Sequence, residues 1–421
     1  MPTHLPQAAA CPGSLERRHS RSRYGTKADV TRPNFAFVTT GVVIGALATA
    51  LAVTRLLTVA PYGDEWHFFP STLALTPFTF SRLSAFQELS SPTFFIAFSY
   101  VLQVAGSHIE WCRALIFVSL CVSIHVYRRL AAQISADAGG PAWAADVSLL
   151  LLMTFPYLLV CGVFYYTDVP AMLFGVLAYR AFEERRSWQA VAWSTLALHC
   201  RQFMIFVPAA MAFVELWRAR QSPASWGRVA MWSIPLLTYA PYLIMWRDVS
   251  PMRAVYPQLT ALPVANPMHV AYLLAASGFY LLPLAARLAW RRWTWTKVLA
   301  VLLAAAWIAI APPEPNAFFA LIDRPITTLG LVDSALSWLG SPALRTGMLA
   351  AGAGMAAALQ FELLARTPES TLTLRVLLVA FWVMNAFSHL TWDKYLLPVL
   401  PFIYLMALTH PAMSRPARSR A

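Results

Sequence analysis

Phe155-Pro-Tyr-Leu-Leu-Val-Cys-Gly-Val-Phe-Tyr-Tyr-Thr-Asp168 carries no charge until its last residue, where an apolar segment ends on one carboxylate. Ionisable groups are costly in hydrocarbon and persist where they face a polar cavity, a partner or a substrate. Asp168 therefore marks one wall of a candidate site at the edge of a membrane helix. The same apolar character recurs along the chain: of 421 residues, 58% are hydrophobic and 12% charged, and the mean hydropathy is +0.56. That is too little polar surface to cover a soluble globule. Backbone groups in lipid must be satisfied internally, which selects helices, and no alternating pattern of barrel strands occurs.

Outward from this segment, hydropathy predicts an all-α, polytopic membrane bundle of twelve spans, near 36–59, 111–127, 143–163, 169–182, 187–200, 202–217, 228–246, 268–289, 296–312, 343–364, 372–390 and 395–411. With a cytoplasmic N-terminus, 23 of the 32 Lys and Arg residues fall on inner loops and tails, as the positive-inside rule requires. The apolar stretch 92–106 is too short for a full crossing, and counting it as one would invert every later loop; it is expected to be interfacial or re-entrant. Segments 187–200 and 202–217 are also short and meet at His199-Cys-Arg201-Gln202, as a pair of partial spans with a polar apex in a cavity would.

The predicted organisation is a disordered basic cytoplasmic tail (1–34), an N-terminal transmembrane catalytic module (35–250) with a long outer loop at 60–110, and a C-terminal transmembrane module (251–421) with an outer segment at 313–342. The stretches 61–91, 248–267 and 313–342 read as loop or amphipathic and all fall outside. Function is therefore expected on the outer face. The net charge of +13 sits in short clusters between apolar segments, which topology explains without a nucleic-acid partner. Five cysteines (Cys11, Cys112, Cys121, Cys161 and Cys200) show no CxxC spacing and read as packing residues.

On this topology the outer boundary gathers Asp64, Glu65, His67, Glu88, Tyr165, Tyr166, Asp168, His199, Arg201, Gln202, Arg247, Asp248, Asp323, Arg324, His389, Asp393 and Lys394. Acids and bases occur together there. Transfer of a sugar from a lipid phosphate needs a base for the acceptor hydroxyl and cations for the leaving phosphate. Asp64 or Glu65 can supply the first; Arg201, with its planar fork, and Lys394 can supply the second. Each residue also has a plainer account. Adjacent acids such as Asp64-Glu65 commonly sit on solvated loops, Tyr165-Tyr166 suits an aromatic belt, Arg201 can snorkel or pair with a helical acid, and Lys394 can be neutralised by Asp393. No GxxxxGK[ST], HExxH, GxSxG or GxGxxG motif occurs, so an activated donor is expected to be lipid-borne.

The order of motifs resembles the Die2-type dolichyl-phosphoglucose alpha-1,2-glucosyltransferases. An acid pair in the first outer loop is followed by Ser90-Ser-Pro-Thr-Phe94, by Tyr165-Tyr-Thr-Asp-Val169, which matches that family's Tyr-Tyr-Thr-Asp-Val in full, and by Arg201-Gln202 from its Phe-Arg-Gln-Thr-Asn. Phe203-Met204 stands where the family has Thr-Asn, and Asp393-Lys-Tyr-Leu-Leu-Pro398 resembles its Phe-Arg-Tyr-Phe-Ile-Pro segment with Lys in place of Arg. The likeness covers residues 60–215 and, more faintly, the end of the chain. The wider relation is to the GT-C superfamily of polytopic glycosyltransferases, which implies a polyprenyl-phosphate sugar donor and makes Asp64, with Glu65 beside it, the base or acceptor-orienting carboxylate.

The expected protein is an inverting hexosyltransferase, for glucose if the family's donor carries over, working on a lipid-linked glycan or other acceptor. Asp64 and Glu65 are the catalytic carboxylates, Arg201 and Lys394 bind the donor phosphate, and Asp168, Tyr165, Tyr166, Gln202 and His67 position the acceptor or loop. No nucleotide cofactor is expected. Paired acids could hold a divalent cation, whereas the Arg/Lys pair can neutralise phosphate without one. Arg far outnumbers Lys and Ala is abundant, a bias that points to a bacterial inner membrane with a periplasmic site and an undecaprenyl carrier. The rival readings are a transporter or flippase of lipid-linked sugars, for which no internal repeat is visible, and a non-catalytic scaffold.

Overall fold

The computed structural model describes residues 34–84, 86, 88, 90–220, 226–247, 265–290, 293–314, 329–388 and 392–414. The expected tail before residue 34, Cys11, Asp248, Asp323, Arg324 and His389 lie outside these, as does most of the stretch 248–267 and residues 315–328 of the expected outer segment.

Every regular element among the described residues is helical. The helices in chain order are α1 (Asn34–Thr54), α2 (Glu65–Ala74), α3 (Phe80–Ser84), α4 (Pro92–Ala105), α5 (Ile109–Asp137), α6 (Ala144–Met153), α7 (Pro156–Val163), α8 (Asp168–Glu183), α9 (Ser187–Cys200), α10 (Phe206–Ala219), α11 (Trp226–Met231), α12 (Ile234–Trp246), α13 (Pro267–Tyr280), α14 (Leu282–Leu288), α15 (Trp295–Ile310), α16 (Leu331–Ser337), α17 (Pro342–Arg366), α18 (Leu372–Asn385), α19 (Leu400–Leu408) and α20 (Pro411–Ser414). Among the described residues four helical stretches are long and apolar enough to cross a membrane, Ile109–Asp137, Gln202–Ala219, Trp226–Trp246 and Pro342–Arg366, and two bent pairs raise the number to six. The expected count of twelve is not reached by this measure, because several apolar runs are broken.

Proline places the breaks. The expected span 143–163 divides into α6 and α7, bent by 69° where Pro156 opens α7, and 268–289 divides into α13 and α14, bent by 79° with Pro283 in the first turn of α14. Proline fits a first turn because its missing N–H has no partner to lose there. At the end of the chain the expected span 395–411 contains only nine residues of α-helix, α19, all of them buried. Nine residues rise about 14 Å, half the hydrocarbon thickness, so α19 by itself is shorter than a full crossing and is preceded by the 3-10 turn Asp393–Leu396. The stretch 92–106 forms α4, whose 14 residues rise about 21 Å, less than the hydrocarbon thickness.

The long helix α5 packs against α1, α4, α6, α7, α8 and α19; α8 and α9 form a hairpin, and α10 packs on α18. The helices α13 and α15 flank α17. There Gly278 and Gly352 bring two backbones so close that a Cβ on Gly278 would overlap the Gly352 carbonyl. Small residues permit such contact where water supplies no hydrophobic drive.

Candidate active site

The chain leaves α1 through a 3-10 turn, Leu56–Thr58, and reaches α2 by a turn in which Gly63 has φ +57°. This delivers Asp64 to the N-terminus of α2, where its backbone N–H donates to Tyr166 Oη at 3.0 Å. Its carboxylate pairs with Lys394 Nζ, which arrives on the 3-10 turn Asp393–Leu396 before α19. The ammonium sits over the Tyr166 ring at 5.2 Å and beside Trp392 at 6.0 Å, contacts that favour a cation. Burial pushes the Asp64 carboxyl up, but Lys394, Arg201 and His67 outweigh it and hold it below the ordinary value of 3.8. Burial likewise opposes the charge on Lys394, and Asp64 with Asp168 outweighs it, so its pKa lies above the ordinary 10.5.

A second pair stands behind the first. Helix α9 ends at Cys200, the chain turns extended at Arg201, and a 3-10 turn from Gln202 leads into α10. Arg201 Nη2 donates to Asp168 Oδ2 at 2.5 Å and Nη1 to Ser90 Oγ at 2.9 Å, with the guanidinium facing the rings of Phe68 and Phe203. Asp168 opens α8, where the helix dipole favours a carboxylate, and is fully buried. Among the described residues the Asp168 Oδ1, Thr167 Oγ1 and Arg201 Nε atoms are buried without a hydrogen-bond partner. The two pairs are near enough that Arg201 acts on Asp64 and Asp168 acts on Lys394.

Thus Asp64, Asp168, Arg201 and Lys394, predicted from four separated motifs, come together. Three expectations are revised. Glu65 does not stand open beside Asp64: it is fully buried and bound to Arg113 at 2.6 Å, so the two acids serve different cations and do not form a joint ligand pair. Arg201 does not present a free fork, since Asp168 and Ser90 occupy both terminal nitrogens. Asp393 does not neutralise Lys394: it is buried and accepts from Tyr272, from Tyr280 at 2.8 Å and from the Val332 N–H at 2.9 Å.

Tyr165 and Tyr166 are buried and not part of a lipid-facing belt; Tyr165 shares a 2.9 Å hydrogen bond with Thr72 and stacks on Phe94. His67 and Gln202 are half-buried, and His67 acts on Asp64 through its charge. Glu88 receives the Ser71 hydroxyl at 2.5 Å, and His199 meets Thr93 at 2.7 Å. Arg247 ends α12 with φ 54° and is exposed. Cys112, Cys161 and Cys200 are buried, in keeping with packing. No group of three metal-ligating side chains converges among the described residues.

Arg113 was not among the predicted site residues, though an arginine near the outer end of an apolar helix, in Ile109-Glu-Trp-Cys-Arg113, signals a need for a partner. Elsewhere a cavity of 340 Å³ between α15 and α17 is lined by Thr294, Thr296, Phe361, Glu362, Ala365 and Arg366. It shares no residue with the charge cluster, and its Glu362 pairs with Arg366 at 2.9 Å and with Lys297 at 3.0 Å.

Fold and site together define an apolar, all-helical integral membrane protein with ion pairs buried at helix ends. Residues 88–230 match the sequence model of the DIE2/ALG10 family, which confirms the resemblance across Asp168 and Arg201. The match implies glycosyltransferase activity and lipid-linked sugar and oligosaccharide substrates in the membrane. It stops short of Asp64 and Lys394. No curated protein and no solved structure matches the chain.

Proposed function

We propose that the protein is an inverting GT-C type hexosyltransferase that moves a hexose such as glucose from a polyprenyl-phosphate donor to a lipid-linked glycan or other acceptor on the outer, periplasmic face of a bacterial inner membrane. The observation that carries this reading is the Asp64–Lys394 pair. Of the three carboxylates Asp64, Glu65 and Asp168, only Asp64 is accessible, its side chain 39% exposed, while the other two are fully buried. A base and a cation for the leaving group thus adjoin each other at the rim of a buried charged wall.

In the proposed step the acceptor hydroxyl oxygen attacks the anomeric carbon from the face opposite the phosphate. Its proton passes to the Asp64 carboxylate. The bond from the anomeric carbon to the phosphate oxygen breaks, and its electron pair leaves with the polyprenyl phosphate, whose new charge Lys394 meets. Positioned base catalysis contributes about 10²–10⁴-fold, and a preorganised cation in a dry site adds to that. Arg201 acts at one remove, its charge partly spent on Asp168, with that pair forming the fixed wall against which donor and acceptor are held. Both residues of the reacting pair can work through their own charges without a nucleotide cofactor, and a divalent cation would meet one open carboxylate rather than two.

The test is transfer of labelled sugar from a panel of polyprenyl-phosphate hexoses by the purified protein and by Asp64→Asn. Transfer by the wild type and its loss of at least about 10²-fold in the variant, with equal protein level, supports the reading. If neither protein consumes any donor while both carry lipid-linked sugar across vesicles, the transferase reading fails in favour of a transporter.

A further inference from the structure

Arg113 stands in the second turn of α5 and is fully buried. Its Nε donates to Glu65 Oε1 at 2.9 Å and its Nη2 to Glu65 Oε2 at 2.6 Å. The remaining N–H groups point at main chain: Nη1 donates to the carbonyls of Leu57 at 2.9 Å and Val59 at 2.7 Å, and Nη2 reaches that of Ala60 at 3.3 Å. Glu65 completes its own coordination with two backbone donors, the N–H of Tyr165 at 2.6 Å and that of Tyr62 at 2.9 Å.

A buried ion pair is a poor source of stability, because desolvation of both charges offsets their attraction and an apolar pair of equal volume often does as well. What such a pair specifies is geometry. Here the geometry joins three segments: the chain leaving α1, the N-terminus of α2 and the connector between α7 and α8. The second carries Asp64, and the third carries Tyr166, which touches both members of the reacting pair. Asp64 is covalently next to Glu65. Tyr166 is next to Tyr165, receives the Asp64 N–H on its hydroxyl and lies under the Lys394 ammonium. Every step from Arg113 to Asp64 is a hydrogen bond or a peptide bond.

We propose that Arg113 and Glu65 are positioning residues that set the place of Asp64 against Lys394 and the Arg201–Asp168 wall. This rests on the reading of Asp64 as the base. Glu65 has both oxygens engaged and no exposed surface, so it holds the base and does not act as a second one. A misplacement of about 1 Å costs on the order of 10²-fold in rate, which sets the scale of the effect.

The experiment compares wild type, Glu65→Gln, Arg113→Lys and Asp64→Asn for kcat, KM, the pH profile of kcat and thermal unfolding, with the labelled polyprenyl-phosphate hexose that the wild type consumes. Glu65→Gln weakens the bidentate clamp by removing its negative charge, and Arg113→Lys keeps the charge without the fork. Expected for both is a kcat per folded molecule lowered about 10–100-fold with KM within about threefold. The acid limb of the profile should also move up, because Asp64 loses its fixed approach to Lys394 while Arg201, His67 and Tyr166 still face it. A purely structural role would reduce the amount of folded protein and leave kcat per folded molecule and the acid limb unchanged, which would overturn the inference. So would complete loss of transfer in Glu65→Gln with none in Arg113→Lys, since Glu65 would then be a reacting group. Should either single variant misfold, Arg113→Gln combined with Glu65→Gln, which removes both charges together so that neither is stranded, takes its place and is read in the same way. Wild-type rates in Asp64→Asn would instead defeat the reading of the base, an outcome separate from the other two.

Discussion

Replacing Arg201 by Met while leaving Asp168 in place isolates the energetics of the buried wall. Asp168 is fully buried and one of its oxygens has no hydrogen-bond partner among the described residues, so after the change its charge would lose its directly bonded cation and keep only the more distant pull of Lys394. Breaking a buried pair from one side costs about 3–5 kcal/mol, most of it the penalty of the stranded charge. Unfolding entropy of about 2.1 cal/mol/K per residue turns this into a fall of about 3–6 °C in the melting temperature of a chain of this size. Removing both charges, in Asp168→Asn with Arg201→Met, eliminates the stranded charge. That double variant is expected to recover more than half of the loss, a favourable coupling well above 1 kcal/mol in the double-mutant cycle. Thermal unfolding of the detergent-solubilised proteins, followed by tryptophan fluorescence, gives all four corners. Strict additivity, or a loss below about 1 kcal/mol in Arg201→Met, would refute the burial of this pair and with it the fixed wall. The double variant should fold and still transfer sugar poorly, since the wall's charges are gone.

Two other perturbations follow from the same contacts. The Asp64 carboxyl lies below its ordinary value, so its contribution is present above pH of about 3.9 and is lost as pH falls through the folded pKa; the Lys394 ammonium lies above its ordinary value, so its contribution is present below about pH 10.4 and is lost as pH rises through the folded pKa. The melting-temperature difference between wild type and Lys394→Met should therefore be constant from about pH 5 to 9 and shrink outside that window; a change across neutrality would assign the effect to His67 instead. Gly330 has φ +142° and a Cβ there would stand 2.5 Å from the Asp393 carboxyl carbon, so Gly330→Ala should destabilise by about 1–3 kcal/mol and displace the turn that carries Lys394. Chemical unfolding and transfer rate report the two effects, and a neutral Ala variant would show that Asp393 is not held as described.

Much of the site was legible in one dimension because charges in an apolar chain have few places to go. Asp168 and Arg201 stood out as lone ionisable groups at the ends of apolar runs, and the structure joins them. Asp64 and Lys394 were legible as candidates but not as partners, since 330 residues separate them and local reading pairs Lys394 with its neighbour Asp393. Glu65 was misread for the same reason. Adjacent acids look alike in sequence, yet the entry into α2 sends one to the rim and the other into the core.

Composition and hydropathy by themselves determined that this chain is a helical membrane protein, because apolar length and the need to satisfy backbone groups in lipid depend on local sequence alone. The motif order determined the family likeness, which the match over residues 88–230 upholds. Only the tertiary structure decided where apolar runs break into bent pairs, and which cation each carboxylate meets. Those outcomes depend on packing between distant segments: Tyr166 beneath Lys394, Arg113 reaching the backbone beyond α1, Asp393 drawn away by Tyr272 and Tyr280. A buried charge takes whichever partner the fold brings within hydrogen-bond reach, and sequence spacing carries no measure of that distance.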